Sequence, residues 1–163
     1  MSHAGNNLRT RLKKQFDEDL VCKTMQQFVD FQIQAADYMD DLMAMGVPDY
    51  RLEQLPGLYD ALVADKALLV EEGFSETEIA QFQGQSPQVV TLCRKLSGYG
   101  VKPSVVQLDF NDNNTLIDDT EHTITMIDLG EIVITHPFVS LWNFLEQMIK
   151  HHGVTQKDDI YQQ

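Results

Sequence analysis

Apolar positions in the first third of the chain recur at the spacing of an amphipathic helix. Steps of three, four and seven residues between about residues 17 and 45 give such a helix one apolar face. The predicted buried stripe consists of Val21, Met25, Phe28, Ala35, Met39 and Leu42. Gly46-Val47-Pro48 predicts the end of the helix, because glycine and proline both interrupt it. Residues 4–7 before it are predicted to be a flexible lead-in segment.

Shorter helices are predicted in the middle of the chain. Pro56 suits the first turn of a helix that runs to about residue 72. Ser75 and Glu78 have the spacing of a capping box, in which each side chain accepts a hydrogen bond from the other's backbone N–H. A helix or helix pair is therefore predicted from Ser75 to Leu96, with a break near Pro87.

After residue 100 the pattern changes to short runs rich in β-branched residues. Val105–Leu108, Thr115–Ile117 and His122–Ile127 are predicted strands, and a polar turn at 118–121 joins the last two into a hairpin. A final amphipathic helix is predicted to begin at Pro137 and to end at Gly153. Its apolar stripe consists of Phe138, Leu141, Trp142, Leu145, Met148 and Ile149. The predicted fold class is α+β, predominantly α-helical.

Composition narrows the classes of function. The chain has 163 residues, of which 43% are hydrophobic, so we predict one domain over 1–163, with Met1-Ser2-His3 as an expression leader. A net charge of −13 argues against nucleic acid as a partner, and no apolar run is long enough to span a membrane. Cys22 and Cys93 lack CxxC spacing, which predicts reduced thiols in a cytoplasmic protein.

The segment around the predicted hairpin carries candidate chemistry. Asp109 and Asn114 lie five residues apart, and Asp128 begins an Asp-Leu-Gly sequence. In phosphoryl-transfer sites of the protein-kinase type, the first Asp orients or deprotonates a hydroxyl, and the Asn and second Asp hold Mg²⁺. Residue 121, midway between Asn114 and Asp128, falls in the predicted turn. Antiparallel pairing would therefore return both oxygen ligands to the open end of the hairpin, as Mg²⁺ requires.

Two other interpretations fit parts of this loop. Asp and Asn favour polar turns, and an isolated motif of this length would usually be one. An EF-hand count places Asp109, Asn111 and Asn113 at its first, third and fifth positions. It then puts Asn114 where glycine is needed and Thr120 where a bidentate Glu is needed. The Ile-Asp-Leu-Gly-Glu sequence at a suitable distance favours the catalytic interpretation over both.

The same residues carry a resemblance to a known family. DFNDNNTLID followed by TMIDLGE resembles the catalytic region of the aminoglycoside phosphotransferase and choline kinase-like family, whose usual form is HGDxHxxNxLxD followed by IDxxx. The segment at residues 4–9 similarly resembles the sequence just after that family's interlobe hinge. The resemblance implies Asp109 as catalytic base and Asn114 and Asp128 as Mg²⁺ ligands. It also implies the C-terminal lobe of a protein-kinase-like fold, with short strands around the catalytic loop.

The chain departs from the family pattern in three side chains. Gln107 stands where the family usually has His, Asn111 where a second His is common, and Ser140 where Asp often follows. Gln107 and Asn111 are therefore secondary site candidates, since an uncharged amide replaces a titratable group at each. Glu131 is a third, because it lies three residues after Asp128 on the segment leaving the hairpin.

A larger departure concerns the N-terminal lobe. Kinases of this type grip the phosphates with a glycine-rich flap and a strand-borne Lys. Residues before 104 contain neither a glycine loop nor a VAIK-like strand. We therefore expect a C-terminal lobe whose partner is the N-terminal lobe of the same protein.

The function implied for the intact protein is Mg²⁺-dependent phosphoryl transfer from ATP or GTP to a hydroxyl of an aminoglycoside, choline or similar amino alcohol. Such acceptors are cationic, and an acidic lobe suits them. The chain alone is expected to be inactive. The alternative is a non-catalytic, kinase-like binding module, which the changes at Gln107 and Asn111 keep open.

Three further groups have a functional and a plainer interpretation. The pair His151-His152 could bind a metal, but histidines at a helix end more often interact with the helix dipole or solvent. Asp37, Asp40 and Asp41 could contact a cationic substrate, although a solvated helix face is expected. His136 could line the site or serve as a loop or cap residue.

Overall fold

The computed structural model describes residues 5–118 and 123–155. Within these ranges the chain forms eight α-helices and five short β-strands. The helices are α1 (Leu8–Lys14), α2 (Glu18–Ala35), α3 (Met39–Ala44), α4 (Leu55–Ala64), α5 (Lys66–Glu71), α6 (Glu76–Gly84), α7 (Ser86–Ser97) and α8 (Val139–His152). The strands are β1 (Asn6–Asn7), β2 (Ser104–Gln107), β3 (Thr115–Asp118), β4 (Thr123–Met126) and β5 (Ile132–Thr135). The predicted α+β class, dominated by helices, is confirmed.

The predicted long helix is present but interrupted. The Asp17 carboxylate caps α2 by accepting from the Leu20 backbone N–H over 3.0 Å. After α2 the chain makes a 3₁₀ turn at Ala36–Tyr38, and α3 ends before Gly46, as predicted. Of the predicted stripe, Val21, Phe28 and Ala35 are buried, while Met25, Met39 and Leu42 are half-buried. Thr24 and Gln32, two polar residues that the apolar pattern did not select, are buried on α2 as well.

The middle of the chain forms two pairs of consecutive helices. The helix predicted over 56–72 is divided at Asp65, whose carboxylate accepts from the Leu68 N–H over 3.1 Å and so begins α5. The predicted capping box is confirmed: the Ser75 hydroxyl accepts from the Glu78 N–H, and the Glu78 carboxylate accepts from the Ser75 N–H. The predicted break near Pro87 is also confirmed, between α6 and α7.

The strands form two small antiparallel sheets. The predicted hairpin is β3 and β4, and β1 adds to its other edge through the pair Asn6↔Ile117. The prediction that residues 4–7 are flexible is therefore wrong for Asn6 and Asn7, which form β1. No alternating apolar pattern in the sequence predicts a strand there. The second sheet pairs β2 with β5 from Ser104↔Thr135 to Gln107↔Ile132. β5 was not predicted from the sequence.

An aromatic stack forms the centre of the core. Phe110 lies between Phe28 and Phe144, with ring centroids 4.2 Å and 4.8 Å away. This stack joins α2 and α8 to the loop that follows β2. It also determines which face of α8 is buried, because Phe144 must point toward Phe110. The cluster of buried apolar residues consists of Leu8, Leu12, Val21, Phe28, Phe110, Ile117, Phe144, Met148 and Val154.

The apolar stripe predicted for α8 is wrong, because a different face of the helix is buried. Of the six predicted residues only Met148 is buried, and Trp142 is 65% exposed. The buried face consists of Ser140, Phe144 and Met148. The apolar residues of α8 outnumber those that the core can accommodate, so periodicity alone did not identify the buried face. The helix ends at Gly153 in a left-handed conformation, as predicted.

Two expectations from composition concern the thiols and the membrane. Cys22 and Cys93 both carry reduced thiols, as predicted. Burial raises the pKa of each thiol, and the nearby carboxylates of Glu18 and Asp19 add to the effect at Cys22. No helix in the described ranges is both long enough and apolar enough to cross a membrane.

Candidate active site

The loop between β2 and β3 surrounds the Asp109 carboxylate with amide side chains. Asn111 Nδ2 donates to Oδ1 over 2.8 Å, and Asn114 Nδ2 donates to Oδ2 over 2.8 Å. From α8, Asn143 Nδ2 lies 3.4 Å from Oδ1. Each carboxylate oxygen has two acceptor positions. Oδ1 is therefore saturated, whereas Oδ2 retains one position for a further donor.

Asn111 holds the loop in shape. Its Oδ1 accepts from the backbone N–H groups of Asn113 and Asn114 over 2.8 Å and 3.1 Å, which is the hydrogen bonding of an Asx turn. Its amide nitrogen also donates to the Asp109 carbonyl over 2.9 Å. Asn111 is buried, and both polar atoms of its side chain are engaged within the loop. This secondary candidate thus positions Asp109.

Asn114 and Asp128 approach each other through the hairpin. The β3–β4 register pairs Thr115 with Met126, and the Ile127 N–H donates to the Asn114 carbonyl over 2.9 Å. Asn114 thus stands opposite Ile127, one residue from the predicted alignment with Asp128. Both side-chain hydrogen bonds of Asn114 use its amide nitrogen. Its amide oxygen is therefore the atom that could ligate a cation.

Asp128 occupies an unusual backbone conformation. Its φ of 58° and ψ of 56° are left-handed, and among the described residues it is the only one other than glycine with a positive φ. Asp tolerates this region better than most residues, but at a cost in free energy. The Gln107 amide nitrogen donates to the Asp128 carbonyl and helps to hold it there. The Asp128 side chain is exposed at the end of the hairpin.

Gln107 and Ser140, two of the departures from the family pattern, are connected. Gln107 is buried, and its backbone carbonyl accepts from the Ser140 hydroxyl over 3.2 Å. Its side-chain Oε1 is buried without a hydrogen-bond partner within the described ranges. A buried unpaired acceptor costs free energy, about 1–3 kcal/mol in typical cases. Gln107 therefore connects α8 to Asp128, while one of its two side-chain polar atoms, Oε1, makes no hydrogen bond within the described ranges.

Glu131, the third secondary candidate, takes part through its backbone. It lies in the 3₁₀ turn Leu129–Glu131, and its carbonyl accepts from the Leu108 N–H over 3.2 Å. Its side chain is exposed. The backbone bond closes the segment leaving the hairpin against the start of the Asp109 loop.

A buried ion pair anchors the loop from behind. Asp112 is fully buried, and its Oδ1 accepts from Arg9 Nη2 over 2.7 Å. Its Oδ2 lies 2.6 Å from His152 Nε2 at the end of α8. Burial raises the pKa of Asp112, but the hydrogen bonds and charges of Arg9 and His152 outweigh this and hold it below its usual value. His152 lies in the last turn of α8, as the helix-end interpretation expects, but its side chain contacts Asp112 and is only 2% exposed, so the solvated interpretation is wrong.

Sequence reasoning did not identify this ion pair. Asp112 lies among other Asp and Asn residues of the loop, so nothing in the local pattern distinguishes it. The available signal was Arg9, a cation within the segment that resembles the family's sequence after the hinge. Its backbone N–H also donates to the Asp112 carbonyl, over 3.0 Å.

The remaining candidates have structural surroundings. His136 is buried, its Nδ1 lies 3.4 Å from the Phe138 backbone nitrogen just before α8, and burial lowers its pKa. This agrees with the interpretation of His136 as a loop residue, since α8 begins without a side-chain cap hydrogen bond. Asp37, Asp40 and Asp41 are exposed, as expected for a solvated face. The Asp109 loop lies between two strands, whereas an EF-hand requires two helices.

The donor atoms suit a modest cation site. Across the described ranges no group of three or more His, Cys, Asp and Glu side chains could hold a metal ion. The Asn114 amide oxygen and the Asp128 carboxylate are two hard ligands, enough for Mg²⁺ when phosphates and water supply the rest.

Comparison of the chain with family models, with curated proteins and with solved structures gave no match. The resemblance to the phosphotransferases therefore rests on the two sequence motifs alone.

Proposed function

We propose that this chain is the catalytic lobe of a Mg²⁺-dependent phosphotransferase. It would transfer a phosphoryl group from ATP or GTP to a hydroxyl of a small molecule, with amino sugars and amino alcohols as the expected class. The observation that carries the proposal is the Asp109 carboxylate, fixed by amides on both sides with one acceptor position left on Oδ2.

Asp109 would act on the acceptor. A hydroxyl that donates to the remaining position on Oδ2 would have its oxygen aimed by the carboxylate, which can then take the proton. Asn111 and Asn114 hold that carboxylate in one orientation. Such fixed geometry supplies much of the rate enhancement in phosphoryl transfer, because little covalent chemistry is left to the protein.

Asn114 and Asp128 would hold the cation. Asn114 keeps its amide oxygen available because its nitrogen is committed to Asp109. The left-handed turn at Asp128, held by Gln107, sets the second ligand next to the end of the hairpin. Mg²⁺ held at this place would supply charge neutralisation for the transferring phosphoryl group.

The proposal includes a second part of the protein. The nucleotide would be gripped by an N-terminal lobe of the same protein, with a glycine-rich flap and a Lys. Reduced thiols at Cys22 and Cys93 agree with a cytoplasmic location.

The test is Asp109→Asn in a protein that contains this chain and its nucleotide-binding lobe. We expect turnover to fall by about 10²–10⁴-fold, the usual contribution of a positioned acid or base. Nucleotide affinity should change little, since Asp109 acts on the acceptor. Single-turnover kinetics and calorimetry with nucleotide measure the two effects separately. Asp41→Asn, an equal charge change on an exposed helix face, is the control.

A second candidate, a non-catalytic kinase-like binding module, is favoured by the saturation of Oδ1. Two amides, from Asn111 and Asn143, occupy this oxygen, and Gln107 offers no titratable group beside it. In that case the wild-type protein would bind nucleotide without turnover on any amino sugar or amino alcohol. Full activity of Asp109→Asn would instead place the catalytic site elsewhere.

A further inference from the structure

We propose that a cavity between α2 and α8 binds a neutral, flat apolar molecule that carries one hydrogen-bond donor. The cavity has a volume of about 530 Å³. This lies within the usual range for small-molecule sites, which are mostly apolar with a few placed polar groups. Its walls include Phe28, Val29, Ile33, Phe138 and Leu141. The inference is independent of phosphoryl transfer.

Gln32 provides an oriented acceptor in this cavity. The residue is only 6% exposed and lines the cavity wall. Its amide nitrogen donates to the carbonyls of Val105 and Pro137 over 2.9 Å and 3.2 Å. Because both partners are acceptors, the nitrogen must face them, and the amide oxygen is fixed on the other side. No described residue donates to that oxygen, and it is not sealed inside the core.

The two serine hydroxyls of the cavity wall can likewise only accept a hydrogen bond from a ligand. The Ser104 hydroxyl donates to the Gln32 carbonyl, and the Ser140 hydroxyl donates to the Gln107 carbonyl. Both hydroxyl protons are thus committed, so these side chains can only accept from a ligand. A molecule that brings its own N–H or O–H satisfies Gln32, whereas a pure acceptor gains nothing.

The charges at the cavity favour a neutral ligand. Asp37 and Lys102 both lie on its wall and are exposed to solvent. They carry opposite charges, so neither a cation nor an anion gains a net advantage from the pair. The alternative occupant is a second copy of the chain, since Ile33 and Phe138 are 65% and 63% exposed. A net charge of −13 on each copy opposes that association.

Indole and benzofuran are matched probes. They have nearly the same shape, and benzofuran has an oxygen where indole has its N–H. We expect indole to shift the backbone NMR signals of cavity-lining residues in a saturable way. Benzofuran should bind roughly five-fold more weakly, the usual effect of one hydrogen bond. Equal affinities, or no saturable shift with indole, would overturn the proposal.

Filling the cavity with a larger side chain provides a second test of the proposal. Ala36→Phe adds a ring to a half-buried residue of the cavity wall, and Gln34→Phe adds the same ring at an exposed position outside it. Indole affinity should fall at least ten-fold in the first variant and remain unchanged in the second. Unchanged binding in Ala36→Phe contradicts the assignment. Light scattering that shows a dimer in the wild type and a monomer in Phe138→Asp would also contradict it, because a second copy would then occupy the cavity.

Discussion

At the residue scale, the Asp109 loop is held mainly by side chains. Asn111 bonds two backbone N–H groups, and Asn114 and Asn143 bond Asp109 or its neighbouring carbonyls. Asp112 has two cationic or polar partners behind the loop. A loop with this many specific partners has one preferred conformation, as a site that must orient a hydroxyl requires.

The Asp112 ion pair should make stability depend on acid pH. The folded-state pKa of Asp112 lies below its ordinary value. Its contribution is therefore fully present above about pH 4, the ordinary range of an Asp carboxyl, and is lost as the pH falls through the folded-state pKa. Asp112→Asn should lower the free energy of unfolding by about 3 kcal/mol at pH 7, because Arg9 and His152 lose a buried charge partner.

Urea unfolding of both proteins between pH 7 and pH 2 measures this effect. The difference between wild type and Asp112→Asn should shrink once the pH falls below about 4. Asp60→Asn, at an exposed carboxylate on α4, serves as the control and should leave the stability unchanged. A difference that is constant over the whole range would mean that the Asp112 charge does not stabilise the fold.

At the element scale, α8 connects most parts of the candidate site. Ser140 bonds β2, Asn143 bonds the Asp109 loop, Phe144 enters the aromatic stack and His152 contacts Asp112. Ser140 and Phe144 lie four residues apart on the buried face of the helix, and Asn143 and His152 reach the loop from either side of that face. The rotation of α8 about its axis is thus a determinant of the loop geometry.

Two aromatic truncations on α8 test that rotation. Phe144→Ala should lower the free energy of unfolding by about 3–5 kcal/mol, since the ring is fully buried between core side chains. Trp142→Ala should change it by less than about 0.5 kcal/mol, because that ring is 65% exposed. Chemical denaturation of the two variants checks both values. A larger loss of unfolding free energy for Trp142→Ala would instead support the buried stripe that periodicity predicted.

Local rules predicted some elements well and others poorly. The Ser75 capping box and the end of α8 at Gly153 follow from side chains or glycine at the helix ends, so a single sequence suffices. β1 and β5 depend on pairing with distant strands, and Asn6-Asn7 has no strand character of its own. The α8 face depended on Phe110, more than 30 residues away.

The candidate site divides in the same way. The approach of Asn114 to the residue before Asp128 could be predicted from spacing, because the hairpin register follows from the position of its turn. The Asp112 partners could not, since Arg9 and His152 lie 103 and 40 residues from Asp112 in sequence and meet it only in the fold.

At the scale of the whole molecule, the chain should fold without binding nucleotide tightly. The aromatic stack and the buried cluster around Leu8 and Phe144 offer a shared core. A cation held by Asn114 and Asp128 alone should retain ATP weakly. Calorimetry with ATP and Mg²⁺ should give a dissociation constant on the order of 1 mM or weaker, with no turnover, because the phosphate-gripping groups of such kinases are missing. Micromolar binding would place the nucleotide site within this chain.

Strand β5 lies between two segments of the chain, and this arrangement has a consequence for helices α4–α7, which connect those segments. The backbone of Ile134 bonds Pro48 and Tyr50 on one side, and β5 pairs with β2 on the other. The point where the chain leaves the core before α4 and the point where it re-enters at β2 are therefore about 10 Å apart, which is two strand spacings. The helices between these points pack mainly on one another, α4 and α5 on α6, and α7 on α4 and α6.

Helices α4–α7 are therefore an excisable module. Replacing residues 52–100 with six Gly and Ser residues spans the gap, since an extended residue covers about 3.4 Å. The shortened protein should unfold cooperatively and keep the ring-current NMR shifts of the Phe28–Phe110–Phe144 stack. A protein that loses those shifts would show that the module is part of the core. If they persist, the candidate site can be studied on a scaffold about three quarters the length of the chain, and the module can be exchanged to vary what approaches the site.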